Sequence, residues 1–305
     1  MKPKFKIEFV FILLVKTIIN FFPRYIALKI GGQIGKILYF LDRAHRKTVL
    51  KNLYIAFKNE KSEKELNEIA KNTFIHFGKV IADIFKSLYI KKEELLKIVE
   101  INGIENLENA LRNKKGVLLF SAHYGNWEIA VLRLALEHDA ICWLARKMDN
   151  PYLENIISKV RQSFGSKIIY KKNATREVLS HLRKNTIIGI LIDQNILEKE
   201  GLFVDFLGEK ASTTPFLAIF HLRTGAPIIP MFCVPDSNYK YYVKLYPPIQ
   251  FENYDPSIKN QLKITQFCTK IIEKEVKENP AFWFWFHKRW KTRPKGERSL
   301  YEDFS

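Results

Sequence analysis

The stretch SAHYGNWE, residues 121–128, sets a histidine and a glutamate five positions apart, directly after the apolar run GVLLF. An imidazole beside a carboxylate can take a proton from a hydroxyl, with the carboxylate fixing the tautomer and stabilising the imidazolium. Gly125 permits dihedrals closed to other residues. Asn126 can cap a helix and so place Glu128 in its first turn, within reach of His123. The amides near Gly125 and Asn126 then offer donors to a developing oxyanion. On these grounds His123 and Glu128 are the expected proton-handling pair. The plainer reading makes Glu128 a charge that complements a helix N-terminus.

Other chemistries find little support. The chain has no G-x-S-x-G elbow and no H-E-x-x-H, and its seven histidines are scattered, which argues against a serine hydrolase or a zinc site. Cys142, Cys233 and Cys268 are odd in number, far apart and set in apolar runs. They read as reduced, buried thiols rather than a disulfide framework. GGQIGK, residues 31–36, is too short for a phosphate loop and follows no strand, so its glycines are read as packing positions. No metal or cofactor is expected.

Residues 24–97 read as helical, with apolar residues at three- and four-residue spacing. From residue 98 strands and helices alternate. The expected strands are 98–102, 116–122, 140–146, 166–171, 187–193, 227–234 and 241–246. The expected helices are 104–112, 126–138, 151–163, 174–184 and 215–224, then a long one opened by Asp255-Pro256. Such alternation predicts an α/β fold with a mostly parallel central sheet flanked by helices. Ligands gather at the carboxyl ends of such strands. Those ends carry His123, Arg146, Asp193 and Gln194, four polar groups around one expected crevice.

With 47% hydrophobic and 27% charged residues the chain is globular rather than disordered. Its net charge of +18 favours polyanionic partners. No RNA-binding signature or zinc-finger spacing appears, so an anionic membrane or an acidic protein ranks above nucleic acid. The N-terminus, MKPKFKIEFVFILLVKTIINFF, has basic residues before an apolar stretch and no small-residue cleavage site. Residues 1–23 are expected to anchor the protein, either spanning the bilayer or lying in its interface. Residues 24–305 then form one domain, helical over 24–97 and α/β over 98–305. Phe282–Trp290, rich in Phe and Trp beside Lys288 and Arg289, suits an interfacial belt, with a buried core helix as the other reading.

In sequence order come HYGNWE, ARKMDNPYLENII, LIDQN, GLFVDFLGEKASTT, TGAPIIPMF and WFWFHKRWKTRP. With this ordered set the chain resembles, over nearly its whole length, the lipid A late acyltransferases, the lauroyl and myristoyl transferases of Gram-negative bacteria. These belong to the glycerolipid acyltransferase superfamily with its His-x4-acid motif. The resemblance implies a glycerol-phosphate acyltransferase-like fold. It implies acyl transfer from acyl carrier protein to a hydroxyl of an anionic glycolipid, an acylated glucosamine disaccharide, at the cytoplasmic face of the inner membrane. It also implies His123 and Glu128 as the catalytic pair and Arg146 near the substrate. Lys288 and Arg289 are then expected to hold phosphate or pantetheine groups, and Asp193 and Gln194 to bind sugar or brace the site. One departure stands out: Ala281 and Phe282 follow Pro280 where the family usually has two polar residues. The alternatives are acylation of another glycolipid, such as a mannosylated phosphatidylinositol, and a non-catalytic membrane-binding protein on the same scaffold.

Overall fold

The computed structural model describes residues 3–170, 174–249, 251 and 254–302. Four helices open the chain: α1 (Pro3–Phe21), α2 (Arg24–Leu41), α3 (Arg43–Phe57) and α4 (Glu63–Ser87). Pro23 separates α1 from α2. Ser62 and Glu65 form a reciprocal capping box that starts α4. The glycines of α2 do what the sequence suggests. A Cβ on Gly31 would lie 2.5 Å from the Gly78 carbonyl oxygen, and one on Gly35 2.1 Å from that of Phe74. Only glycine lets α2 and α4 approach backbone to backbone.

The rest is α/β: α5 (Lys92–Ile98), β1 (Val99–Asn102), α6 (Ile104–Leu111), β2 (Val117–Ser121), α7 (Trp127–Ala135), β3 (Ile141–Ala145), α8 (Pro151–Gln162), β4 (Lys167–Tyr170), α9 (Ala174–Arg183) and β5 (Ile187–Leu191). A hairpin, β6 (Leu202–Phe206) and β7 (Glu209–Thr213), precedes α10 (Phe216–Thr224), β8 (Ile228–Pro235), β9 (Tyr241–Leu245) and α11 (Ile258–Glu278). Seven strands form one sheet in the order β1-β9-β8-β2-β5-β3-β4. Every pairing is parallel except β8 with β9. β2 and most of β5 are buried on both faces, as parallel strands covered by helices must be.

The winding matters for the site. After β4 at one edge the chain returns to the middle and lays β5 between β2 and β3. After the hairpin it continues on the other side of β2 as β8. The direction of winding reverses beside β2, the place in such a sheet where ligands gather outside the carboxyl ends of the strands.

The hairpin is new relative to the sequence reading. Its two-residue turn, Leu207-Gly208, has φ of 50° and 86°, the pair of positive values of a type I′ turn. The late aromatic segment also differs from expectation. Phe282–Trp290 is neither an interfacial belt nor a helix. Beyond one 3-10 turn at Pro280–Phe282 it is irregular, and Trp283, Trp285 and Trp290 are buried.

Among the described residues no helix is long and apolar enough to cross a membrane. One side of α1 packs through Ile19, with Ile12 and Val15, against Leu28, Ala82 and Phe85. Its other side exposes Val10, Leu14 and Phe21. The three cysteines are free and buried.

Candidate active site

β2 ends at Ser121, and residues 122–126 turn the chain into α7. The turn is built around Gly125, whose φ is +60° and whose Cβ would lie 1.8 Å from the Cys233 carbonyl oxygen. No other residue fits that wedge against β8. The Asn126 side chain accepts from the Ile129 amide at 3.1 Å and caps α7, as the sequence predicts.

The backbone donors of the turn are already engaged. The Gly125 amide donates to Phe282 O at 2.9 Å and the Asn126 amide to Cys233 O at 3.0 Å. The expectation that these two amides stabilise an oxyanion is therefore corrected: they tie the turn to β8 and to the late segment. The Phe284 amide adds a bond to His123 O at 2.9 Å. Phe282–Phe284 thus flank the turn like a short extra strand, a role that neither expected reading of this segment contains.

The His123 ring meets a carboxylate, but not that of Glu128. Its Nδ1 lies 2.8 Å from Asp193 Oδ1, and its own amide donates to Asp193 Oδ2 at 3.0 Å. The Trp283 indole also donates to Asp193 Oδ2, at 2.8 Å. Asp193 reaches the ring because β5 is the neighbour of β2, pairing Ser121 with Leu191, so the loops after both strands leave side by side. Burial alone would push the Asp193 carboxyl up. The charge attraction of His123, together with the hydrogen bonds from His123 and Trp283, overcomes it and holds the group at about 2. An ionised Asp193 fixes the proton on Nδ1 and leaves Nε2 as the lone-pair nitrogen. Gln194 Nε2 donates to that nitrogen at 3.3 Å. The His123 side chain is 22% exposed, while that of Asp193 is sealed at 2%.

Glu128 turns away to another partner. Arg161, on α8, grips it with two nitrogens: Nε donates to Oε2 at 2.8 Å, and a second short bond runs from Nη2 to Oε1. The Trp127 indole donates to Glu128 Oε1 at 2.9 Å. Its ring stands edge-on to His123, with centroids 4.9 Å apart. Glu128 therefore holds the start of α7 and the indole wall of the crevice, and the expected contact with the imidazole is absent. Arg161 was not expected at all. Its position near the C-terminal end of an ordinary amphipathic helix gives no signal in sequence.

The other expected residues divide. Arg146, at the end of β3 on the same edge of the sheet, is exposed and pairs with both oxygens of Asp149 at 3.1 Å. Lys288 is exposed and lies over the Tyr301 ring. Arg289 is corrected outright. It is fully buried and donates to Ser212 O at 2.7 Å and to Thr213 Oγ1, so it clamps the hairpin rather than meeting a ligand. Among the described residues, no three His, Cys, Asp or Glu side chains converge as a metal site needs.

Beside the crevice lies an apolar cavity of about 260 Å3 between α1, α2, α4 and the late segment. Ile19, Ile34, Leu38, Phe77, Phe284 and Phe286 are among its walls. Phe284 joins the two spaces, its ring 6.1 Å from that of His123. An imidazole with one nitrogen tethered to a carboxylate and the other met only by the Gln194 amide, next to a greasy slot, can deprotonate a hydroxyl beside an alkyl chain.

The fold and this site define a class: an α/β protein with a histidine–carboxylate pair at the carboxyl ends of parallel strands. The comparisons carry this further. The profile of the bacterial lipid A biosynthesis acyltransferases matches residues 2–292. The chain belongs to that family and is an acyltransferase. It is 26% identical over 273 residues to the lipid A biosynthesis palmitoleoyltransferase of Escherichia coli K12, covering 89% of this chain and 87% of the relative. The lauroyltransferase of the same organism is 23% identical over 282 residues, 92% and 90% of the two chains. The phosphatidylinositol mannoside acyltransferase of Mycobacterium tuberculosis is 24% identical over 219 residues, 70% and 67%.

Proposed function

We propose that this protein transfers a fatty acyl chain from the thioester of acyl carrier protein to a hydroxyl of a phosphorylated glycolipid, a lipid A precursor, at the cytoplasmic face of the inner membrane. The observation that carries the reading is His123 tethered through Nδ1 to buried Asp193, with Nε2 facing the crevice beside the apolar cavity.

In this mechanism the acyl chain lies in the cavity behind Phe284, with its thioester carbon at the His123 end. The acceptor hydroxyl takes the place of the Gln194 amide at Nε2. As Nε2 removes the proton, the oxygen attacks the carbonyl carbon and forms a tetrahedral oxyanion. The intermediate collapses with breakage of the carbon–sulfur bond. The leaving thiolate takes the proton from the imidazolium, which restores the neutral ring. Asp193, ionised throughout, stabilises the imidazolium in between. Glu128 and Arg161 act by positioning Trp127 against the ring.

Arg146 and Lys288 supply exposed positive charge around the crevice for the phosphates of the acceptor or the acidic carrier. The apolar residues exposed on α1, and Ile37, Phe40 and Leu41 on α2, suit a bilayer interface. Residues 1–23 then attach the protein by lying in that interface rather than spanning the membrane. Residues 24–305 work as one unit, the helical layer forming the cavity and the sheet the crevice.

The test uses the full chain in detergent micelles with acyl carrier protein thioester and a phosphorylated, acylated glucosamine disaccharide, read by mass spectrometry. The expected product is the acceptor heavier by one acyl chain, and His123→Ala loses it by about 10²–10⁴-fold. Transfer by His123→Ala at the parent rate would refute the mechanism. Transfer only to a mannosylated acceptor would refute the substrate.

A further inference from the structure

A second recess, of about 560 Å3, lies at the other end of the sheet. Lys114 and Lys115 border it just before β2, Leu182 and Arg183 at the end of α9, and Arg223 and Thr224 at the end of α10. Its four cations are all exposed. No described carboxylate lines the recess, and none of the four cations joins an ion pair among the described residues.

Cations at helix C-termini have an ordinary explanation, since each helix end carries about half a negative charge. Here it does not suffice. The ends of α6, α9 and α10 together offer roughly one and a half negative charges. Four full positive charges face them, so more than two remain unmatched across one concave surface. Side chains free to spread over a surface would relieve that repulsion; these are fixed at their roots. The Asn185 side chain accepts from the Gly116 amide at 3.0 Å and donates to Leu111 O at 3.1 Å, clasping both sides of the Lys114–Lys115 turn. Thr224 Oγ1 accepts from the Ala226 amide at 3.1 Å and fixes the other rim. Two guanidinium forks and two ammonium groups, carried on held backbone, thus border one concave surface as donors for anionic charge.

Its place in the fold says which anion. β2, five residues or about 16 Å long at about 3.3 Å each, separates this recess from His123, which lies beyond the strand's other end. An occupant here does not touch the reacting groups. The apolar surfaces of α1 and α2 flank the cavity beside His123, at the opposite pole of the sheet. With those helices against lipid, the recess faces away from the membrane.

We propose that this recess binds a soluble, multiply charged phosphate ligand of the pyrophosphate class. The experiment uses the full chain in neutral detergent at low salt, with pyrophosphate as probe, followed by titration calorimetry and thermal unfolding. Saturable binding and a rise in Tm are expected. Arg183→Gln with Arg223→Gln should weaken binding about tenfold or more. Lys58→Gln with Lys64→Gln removes the same charge from the cap that ends α3 and from the first turn of α4, and should leave binding within about twofold. Because the four side chains are exposed, these variants are expected to fold, and their Tm without ligand checks it. Absence of saturable binding to the folded parent, or equal weakening by both pairs, would overturn the site. Loss of binding to anionic phospholipid vesicles in the arginine pair, with pyrophosphate binding unchanged, would overturn the soluble ligand in favour of a lipid headgroup.

Discussion

Two carboxylates border the crevice, one after β5 and one in the first turn of α7, and they do different work. Asp193 and Glu128 are equally buried, 3% and 4% exposed. Asp193 spends its oxygens on the His123 ring, the His123 amide and the Trp283 indole. Glu128 spends its oxygens on Arg161 and Trp127. The first arrangement sets the tautomer of the imidazole and places a negative charge beside it. The second locks one helix to another and sets an indole against the ring. Distance along the chain misleads here, because the partner of a group at a strand end is decided by the neighbouring strand.

The comparison is broken most directly at Asp193. Asp193→Asn keeps the shape but removes the charge that supports the imidazolium, and its amide can leave Nδ1 as the acceptor. The expected loss in kcat is about 10²–10⁴-fold, with KM little changed. Steady-state kinetics on the folded variant check this, and a near-parental kcat would move the carboxylate's role elsewhere. The pH behaviour follows from the same group. Its folded value, about 2, lies below the ordinary 3.8, so its stabilising effect is complete above about pH 4 and fades only as pH falls toward 2. Asp193 should therefore put no acid limb on the activity profile above pH 4.

Glu128 sharpens the contrast. Removing one member of a buried ion pair leaves the other charge unpaired, at a cost of about 3–5 kcal/mol. Glu128→Gln and Arg161→Gln should each lose stability on that scale. The double variant should lose clearly less than the sum, and denaturant melts of the three give the coupling. In the fraction that folds, kcat should fall by about tenfold, through the freed Trp127, far less than in Asp193→Asn. A Glu128→Gln protein with full stability and a kcat as low as that of Asp193→Asn would put Glu128 on the ring during turnover, and the division of labour would collapse.

Much of the sheet was legible. Seven short apolar runs between amphipathic helices predict a parallel core, and the seven strands of the sheet lie where those runs are, within a residue or two at most ends. Gly125 and Asn126 announce the turn, because a tight entry and a helix cap leave local signals. The β6–β7 hairpin was missed because its turn is Leu-Gly rather than Asn-Gly. The late aromatic segment was misplaced because composition cannot tell an aromatic ring facing lipid from one packed beneath a tight strand-to-helix turn. The same holds for Arg289, whose charge suggested a ligand while its partners are Ser212 and Thr213. Strand order is the deeper limit. Sequence places His123 and Asp193 at strand ends, but only the return of β5 to the side of β2 makes them neighbours.

The smallest effect tests the joint between the two regions. His76 on α4 is buried, and its Nε2 donates to Gly125 O at 3.2 Å, holding the turn that separates His123 from Glu128. Burial pushes this imidazole down to about 4 from the ordinary 6.5, with Lys79 adding to the fall and the Gly125 bond opposing it. Above pH 6.5 the ring is neutral both folded and unfolded, so it contributes no pH dependence. Between 6.5 and about 4 the unfolded chain takes up a proton that the folded protein refuses, and stability drops as pH falls. At pH 5 the drop from this group is on the order of 2 kcal/mol. His76→Gln keeps a donor for Gly125 O and removes the titration. Its stability should therefore gain on the parent as pH is lowered from 7 to 5, whatever the difference at pH 7. Parallel stability curves for the two proteins over that range would mean that His76 is charged or solvated in the fold. The turn would then be held from the β8 and late-segment side alone.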